Sequence, residues 1–307
     1  MGVFYDTNVP VVPVSSSDLT AETIRQNTRR QKSEGQLASL NLVYTWLKNV
    51  DWEGTISHRF LQTYNDQLTE FNTQSHTPTL GVLYRSNMSN MPTITGLQHS
   101  YDFITLGNHR FTQRHIVNPY FTLVEDSSNL TTLQFRFQAK DFFHDKKVIQ
   151  GPPVGKSDVR DALNYMVGPL PFFLFEEGRH FIKLGYRFDC EDADGKNWTY
   201  RGNRLLFGFQ YTLPWWDIKL RHDLDFHWRS HQSKNTKLPT NATDTVYRSD
   251  REPINLISLS KDFYEDFTVS LEYLFDKNKS NLGAFEYNRH VVTTSLTYRF
   301  DASTFGF

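Results

Sequence analysis

The chain has 307 residues, with 33 Lys and Arg against 34 Asp and Glu and a formal net charge of −1, so its balance favours neither nucleic acid nor an anionic membrane surface. Only 38% of its residues are apolar and its mean hydropathy is −0.55, yet 15% are aromatic, with 25 Phe and 15 Tyr. A single cysteine, Cys190, excludes a disulfide framework and a cysteine-rich metal site.

No stretch approaches the roughly 20 apolar residues that a membrane helix needs, and the densest apolar cluster, Phe172-Phe173-Leu174-Phe175, is far shorter. Low hydropathy with many aromatics suits a barrel that turns a narrow aromatic band to lipid and a polar lumen to water. The chain opens Met1-Gly2-Val3 without a charged n-region or an apolar h-region, so for an exported barrel a signal peptide is expected upstream.

Taken in order, strands are predicted at 2–6, 36–48, 52–66, 77–86, 93–106, 110–124, 130–142, 159–175, 180–190, 198–213, 216–230, 249–261, 266–277 and 285–300. That makes about fourteen, an even number as bacterial barrels have. Apolar and polar residues alternate along them. Leu40, Leu42, Tyr44 and Trp46 share one face near the start, and Leu133, Phe135 and Phe137 face away from Gln134, Arg136 and Gln138. Ile182, Leu184, Tyr186 and Phe188 alternate with Phe181, Lys183, Gly185 and Arg187. Leu205, Phe207, Phe209, Tyr211 and Leu213 alternate with Arg204, Leu206, Gly208, Gln210 and Thr212.

The clearest segment runs from Trp216 to Arg229. Trp216, Ile218, Leu220, His222, Leu224, Phe226 and Trp228 fall on one face. Asp217, Lys219, Arg221, Asp223, Asp225, His227 and Arg229 fall on the other, since successive strand side chains point to opposite sides. Soluble strands usually run about 5–6 residues; this one is more than twice as long, which suits a tilted strand crossing a bilayer. Farther on, Phe267, Val269, Leu271, Tyr273 and Phe275 alternate with Thr268, Ser270, Glu272, Leu274 and Asp276.

Every second connection is short (49–51, 87–92, 125–129, 176–179, 214–215, 262–265), while 7–35, 143–158 and 231–248 are long and polar. Short turns on one rim and long loops on the other are the periplasmic and extracellular ends of a barrel. The tight connection 107–109 is the misfit on the loop side. The last strand ends Tyr298-Arg299-Phe300, two aromatics at alternate positions like the terminal signal read by barrel-assembly machinery, with a tail at 301–307 beyond it. The fold expected is all-β: one closed antiparallel transmembrane barrel of about fourteen strands over 1–307.

These segments resemble the C-terminal outer-membrane barrel found behind tetratricopeptide repeats, of the surface lipoprotein assembly modifier type. The residues that carry the likeness are GVFYDTNVP at the start, ALNYMVG, LGYRFDCEDADGKNWTYRGNRLLFGFQYTLPW, and LEYLFDKNKSNLGAFEYNRHVVTTSLTYRF at the end. They are strand and turn patterns spread over nearly the whole chain. The resemblance implies a periplasmic repeat domain upstream and a role in transport or secretion, without naming the cargo.

The candidate site is the inner wall. Asp217, Lys219, Arg221, Asp223, Asp225, His227 and Arg229 are expected to line the lumen, joined by Lys183, Arg187, Arg204, Glu272 and Asp276. Two readings stand: ladders of charge that set ion preference in a water-filled pore, or charges that pair across strands and fill the lumen, leaving a plugged barrel that anchors partners. His222 interrupts the apolar stripe, either as a partner or headgroup contact, or as a neutral imidazole tolerated at depth or turned inward by a bulge. His231-Gln232-Ser233 has the His-x-Ser spacing of an outer-membrane lipid hydrolase, a remote alternative. The 11 histidines are scattered, so no metal or other cofactor is expected. The partners expected are membrane lipids and lipopolysaccharide, barrel-assembly machinery and a periplasmic partner or exported cargo, with no nucleic acid.

Overall fold

Strands leave their backbone N–H and C=O groups pointing sideways, and each buried group needs a partner. This chain meets that demand by joining neighbours in sequence and then closing the ends. In a computed structural model, which describes residues 1–9, 11, 32–143, 157, 159–236, 246–264 and 266–300, fourteen antiparallel strands form one closed barrel. They are β1 Gly2–Asp6, β2 Ser33–Lys48, β3 Trp52–Asn65, β4 Thr73–Met88, β5 Met91–Leu106, β6 His109–Val124 and β7 Asn129–Phe142. The second half comprises β8 Ala162–Phe175, β9 His180–Ala193, β10 Tyr200–Thr212, β11 Lys219–Lys234, β12 Tyr247–Phe263, β13 Phe267–Ser280 and β14 Tyr287–Tyr298.

Short β1 closes the ring. Gly2 stands opposite Leu37 of β2 on one side and Ser295 of β14 on the other. Side chains lock the seam: Arg289 donates to the Asp6 carboxylate at 2.6 and 2.9 Å, and Asn8 donates to the Asn288 carbonyl at 3.1 Å.

One rim carries the connections 49–51, 89–90, 125–128, 176–179, 213–218 and 264–266 together with both ends of the barrel. Local chemistry makes these turns. Ser89 and Asn90 take φ of 51° and 68°, the pair of positive values that a two-residue hairpin turn requires. At 125–128 the Asp126 carboxylate accepts from the Ser128 and Asn129 backbone amides at 2.6 and 2.8 Å. Donors from Asn129 and Ser128 hold that carboxyl below the usual carboxylate range. The strand ends on either side of 7–32, 143–161 and 235–246 lie at the opposite rim, with shorter loops at 66–72, 107–108, 194–199 and 281–286. The exceptional hairpin there is real: Gly107 and Asn108 have φ of 55° and 67°.

The predicted strands coincide with the observed ones to within a few residues, with three corrections. The segment predicted as a turn at 87–92 is mostly ladder, because Asn87 pairs with Pro92 and only Ser89 and Asn90 turn. Strand β8 starts at Ala162, not at 159. Strand β11 starts at Lys219, because Trp216 and Asp217 adopt φ of 65° and 52° within the turn. The tail at 301–307 lies outside the described residues.

The outer face is apolar and exposed. Leu40, Ile56, Leu97, Leu133, Leu184, Leu205, Ile257, Leu271 and Val292 mark its middle. Trp46, Trp52, Tyr84, Tyr211, Phe267 and Tyr298 stand towards the turn rim, and Tyr64, Tyr165, Phe188, Trp228 and Tyr247 towards the loop rim. Histidines interrupt this face on adjacent strands, with His58 and His76 3.4 Å apart and the rings of His99 and His115 stacked at 5.8 Å.

Close approach of neighbouring strands depends on missing side chains at a few points. A Cβ on Gly168 of β8 would stand 1.9 Å from the Tyr186 carbonyl oxygen of β9. Backbone cannot give way as a flexible side chain can, so Gly168→Val is expected to lose about 1–3 kcal/mol of stability. Urea unfolding of the detergent-solubilised barrel reads this, and an unchanged midpoint would show that β8 and β9 can separate freely.

Candidate functional site: the lumenal wall

Register around a closed ladder fixes which side chains share the inside. Arg187, Arg204, His227 and Glu252 stand directly opposite one another across β9, β10, β11 and β12. Continuing round the ring places the odd residues of β2, β3, β4, β9, β11 and β14 on that face, with the even residues of the other strands. His222 lies on the opposite, outer face, in regular register with Phe209 and Ile257. No bulge turns it inward; it reaches Asn255 Oδ1 at 3.4 Å beside the rings of Phe207 and Phe209.

The inward charges form a lattice of several ion-paired clusters across β9 to β13. Lys183 meets Asp223 at 2.5 Å, and Arg221 meets the same carboxylate at 2.6 Å. Arg204 bridges Asp189 at 3.0 Å and Asp225 at 2.8 Å. His227, fully buried, lies 3.1 Å from Asp189 and 3.9 Å from Glu252. Arg229 reaches Glu252 at 3.1 Å and Asp250 at 3.6 Å. Lys219 pairs with Asp262 near the turn rim at 2.8 Å. Asp276 accepts from the Tyr287 hydroxyl at 3.3 Å, and Arg187 donates to the side-chain carbonyl of Gln134. Glu272 has hydroxyl neighbours, Ser258 and Thr293, and no ion pair among the described residues.

Asp217 does not join them. It sits in the exposed turn at 213–218, where Arg179 of the neighbouring turn meets it at 2.5 Å. The alternating pattern reads straight through Trp216 and Asp217, whereas positive φ at both residues places them in the turn that the Leu213 amide closes onto the Ile218 carbonyl at 2.8 Å.

Several members of the lattice went unread in the sequence. Arg248 and Asp250 pair at 2.7 Å on β12, and Glu252 follows two residues later on the same face. That spacing of ionisable residues at alternate positions is the signal already used for 217–229, and it was available. Asp102–Arg114 at 2.5 Å, Glu53–Arg85 at 2.6 Å and the pair Lys140–Glu191 extend the pattern to other strands. Glu191 continues the alternating charges Lys183, Arg187 and Asp189 along β9, whereas the pairing of Asp102 with Arg114 and of Glu53 with Arg85 is revealed only by register.

Glycines make room for the bonds that skip a strand. Lys183 of β9 reaches Asp223 of β11 over Gly208 of β10, where a Cβ would meet Lys183 Cε at 2.4 Å and Asp223 Oδ1 at 2.7 Å. His227 and Asp189 join over Gly202, whose Cβ would stand 2.4 Å from Asp189 Oδ1. Arg187 likewise crosses β8 at Gly168 to reach Gln134. The Gly in each case leaves the inner surface low enough for two flanking strands to touch.

Buried polar side chains concentrate in the half of the wall nearer the loop rim, among them Asn65, Asp102, Gln138, Asn164, Asp250 and Asn278. His231 belongs to this group, with its Nε2 3.4 Å from Asp250. The hydrolase alternative needs that nitrogen to serve Ser233, and no hydrogen bond joins the two residues among those described. No set of three or more potential ligands that could hold a metal ion occurs among the described residues.

No family model matches the chain, and no curated protein matches it. Among solved structures, OccAB4 of Acinetobacter baumannii aligns over 97% of this chain and 96% of its own at 10% identity, with a TM-score of 0.45. OccK8 (OprE) of Pseudomonas aeruginosa aligns over 96% of both chains at 10% identity and 0.44. A structure described as a bacterial polysaccharide outer membrane secretin aligns over 98% and 97% at 7% and 0.42. Likeness at this level carries no argument about what the lumen does.

The Arg204 guanidinium serves two carboxylates at once. Arg204→Met is expected to cost about 3–5 kcal/mol, the scale for leaving one partner of a buried ion pair uncompensated. Adding Asp189→Asn and Asp225→Asn should recover a substantial part. Urea midpoints of the single and triple variants check this, and equal destabilisation of both would mean that Arg204 acts by packing alone.

Proposed function

We propose that this chain is an integral barrel of a bacterial outer membrane that acts as a channel or export conduit with a polar, mixed-charge lumen. The observation that carries the proposal is the segregation of the two faces: an exposed apolar outer band with aromatics towards both rims, and an ion-paired inner wall. Soluble proteins rarely expose contiguous apolar surface beyond a few hundred Å², whereas lipid is the natural solvent for such a band. Both barrel ends share the short-turn rim, which is periplasmic in this reading, and the long loops face outward.

Membrane lipids and lipopolysaccharide contact the outer face in this scheme. Barrel-assembly machinery reads Tyr298 and Phe300, whose rings lie 6.4 Å apart at the end of β14. The resemblance to barrels that follow tetratricopeptide repeats supports a periplasmic partner that delivers cargo.

A second reading is favoured by the buried polar residues towards the loop rim: a plugged barrel whose role is to anchor partners. Planar-bilayer recording separates the two. The channel reading expects a steady stepwise conductance from the purified barrel. Electrical silence from protein with intact strand circular dichroism would favour the plug, and a chain that stayed monodisperse without detergent would overturn the membrane assignment itself.

A further inference from the structure

Parity divides the charges near the loop rim into an inner and an outer set. On β10 to β13 the inner set is the ion-paired lattice. The outer set is Arg201 of β10, Arg251 of β12, and Lys277 and Lys279 of β13. Burial follows the same alternation: Arg201, Arg251 and Lys279 are exposed, while their chain neighbours Gly202, Asp250 and Asn278 are buried. None of the four makes an ion pair or a side-chain hydrogen bond among the described residues. No Asp or Glu points outward from these four strands. The carboxylates nearest in register, Asp192 of β9 and Glu286 in the loop before β14, pair with none of them.

Register forces these cations together. Arg251 stands directly opposite Lys279, a placement in which like charges lower stability. Lys277 lies two residues along β13 on the same face. On its other side Arg251 faces Trp228 of β11, one of the exposed aromatics towards the loop rim, and Arg201 faces Ser230 beyond it. Towards the turn rim the same strands present Leu205, Ile257 and Tyr273 to the outside. Elsewhere on the outer face near the loop rim the exposed charges are acidic, at Glu34 of β2, Asp141 of β7 and Asp192 of β9. Cations that repel one another at the border of an apolar band call for an anion. The band directly beneath them suits an anion that carries an apolar part.

We propose that this arc of the outer face binds the phosphorylated headgroup of a glycolipid in the outer leaflet. Arg251, Lys277 and Lys279 hold phosphate, Arg201 reaches the same headgroup across β11, and acyl chains lie along Leu205 and Ile257. The proposal rests on the membrane reading above. Arginine and lysine donate strong charge-assisted hydrogen bonds to phosphate, and tryptophan sits naturally at headgroup depth.

Titration of bisphosphorylated lipid A into the detergent-solubilised barrel, followed by native mass spectrometry, provides the test. The phosphorylated lipid is expected to bind more tightly than the same lipid stripped of its phosphates. Arg251→Gln combined with Lys279→Gln is expected to weaken it by about tenfold, the scale of one charge-assisted hydrogen bond lost. Lys261→Gln, on the same face at the turn rim, should leave binding unchanged. Without lipid, Lys279→Gln should raise the urea midpoint, because a like-charge pair is relieved; a lowered midpoint would mean that Lys279 serves packing. Equal binding of the two lipids, or by parent and double variant, overturns the site. So does displacement by inorganic phosphate at the concentration of the lipid, or a lipid-free dimer that Lys279→Gln dissolves. A chain that stays monodisperse without detergent overturns the membrane reading together with this one. A barrel that needs detergent but ignores lipid phosphate overturns this one alone.

Discussion

Closure of the backbone ladder is the constraint on which everything else in this molecule depends. The five residues of β1 pair with β14 and β2 together, closing the ring over Val291–Ser295 and Ser33–Leu37, while residues 38–48 of β2 have no paired strand on that side. In an apolar surround an open edge would strand its N–H and C=O groups without water to satisfy them. A closed ring also couples distant strands. Because residues directly opposite share a face, the inward parity of one strand dictates that of all fourteen. The register shifts occur between Thr45 and Leu47, Ile104 and Thr105, and Ser230 and Lys234, all towards strand ends. The middle of the wall thus keeps one consistent inside and outside.

That coupling explains how much could be read from sequence. Strand number, strand order and the short–long alternation of connections follow from periodicity and turn chemistry, which are local. On β11 local polarity is strong enough that the inward set from Lys219 to Arg229 is visible residue by residue. The failures have physical causes. At Trp216 and Asp217 an alternating pair of types continues the strand pattern, but positive φ places both in a turn. On β6 and β7 Arg114 and Lys140 are sparse charges among Thr, Gln and Phe, and their partners Asp102 and Glu191 are found only through register. Whether an inward residue is packed depends on which strands flank it, and no single strand records that: β2 has no paired neighbour on its β1 side beyond Leu37. Val43 and Met166 are both apolar and inward, yet one is exposed and the other buried.

The lattice is best understood together with the glycines beneath it. Burying ion pairs rarely adds stability over well-packed apolar residues, so the lattice needs another justification. Two strand-skipping contacts pass over a glycine of the intervening strand: Gly208 under Lys183 and Asp223, Gly202 under Asp189 and His227. A one-residue slip of β10 would replace Gly202 and Gly208 with Asn203 and Phe209, or with Arg201 and Phe207. It would also turn Arg204 outward into the apolar band. The ion pairs and glycines therefore penalise wrong register from both faces of the wall. Leu, Phe and Val on the outer face alone could tolerate sliding among similar partners; Arg204 between Asp189 and Asp225 cannot.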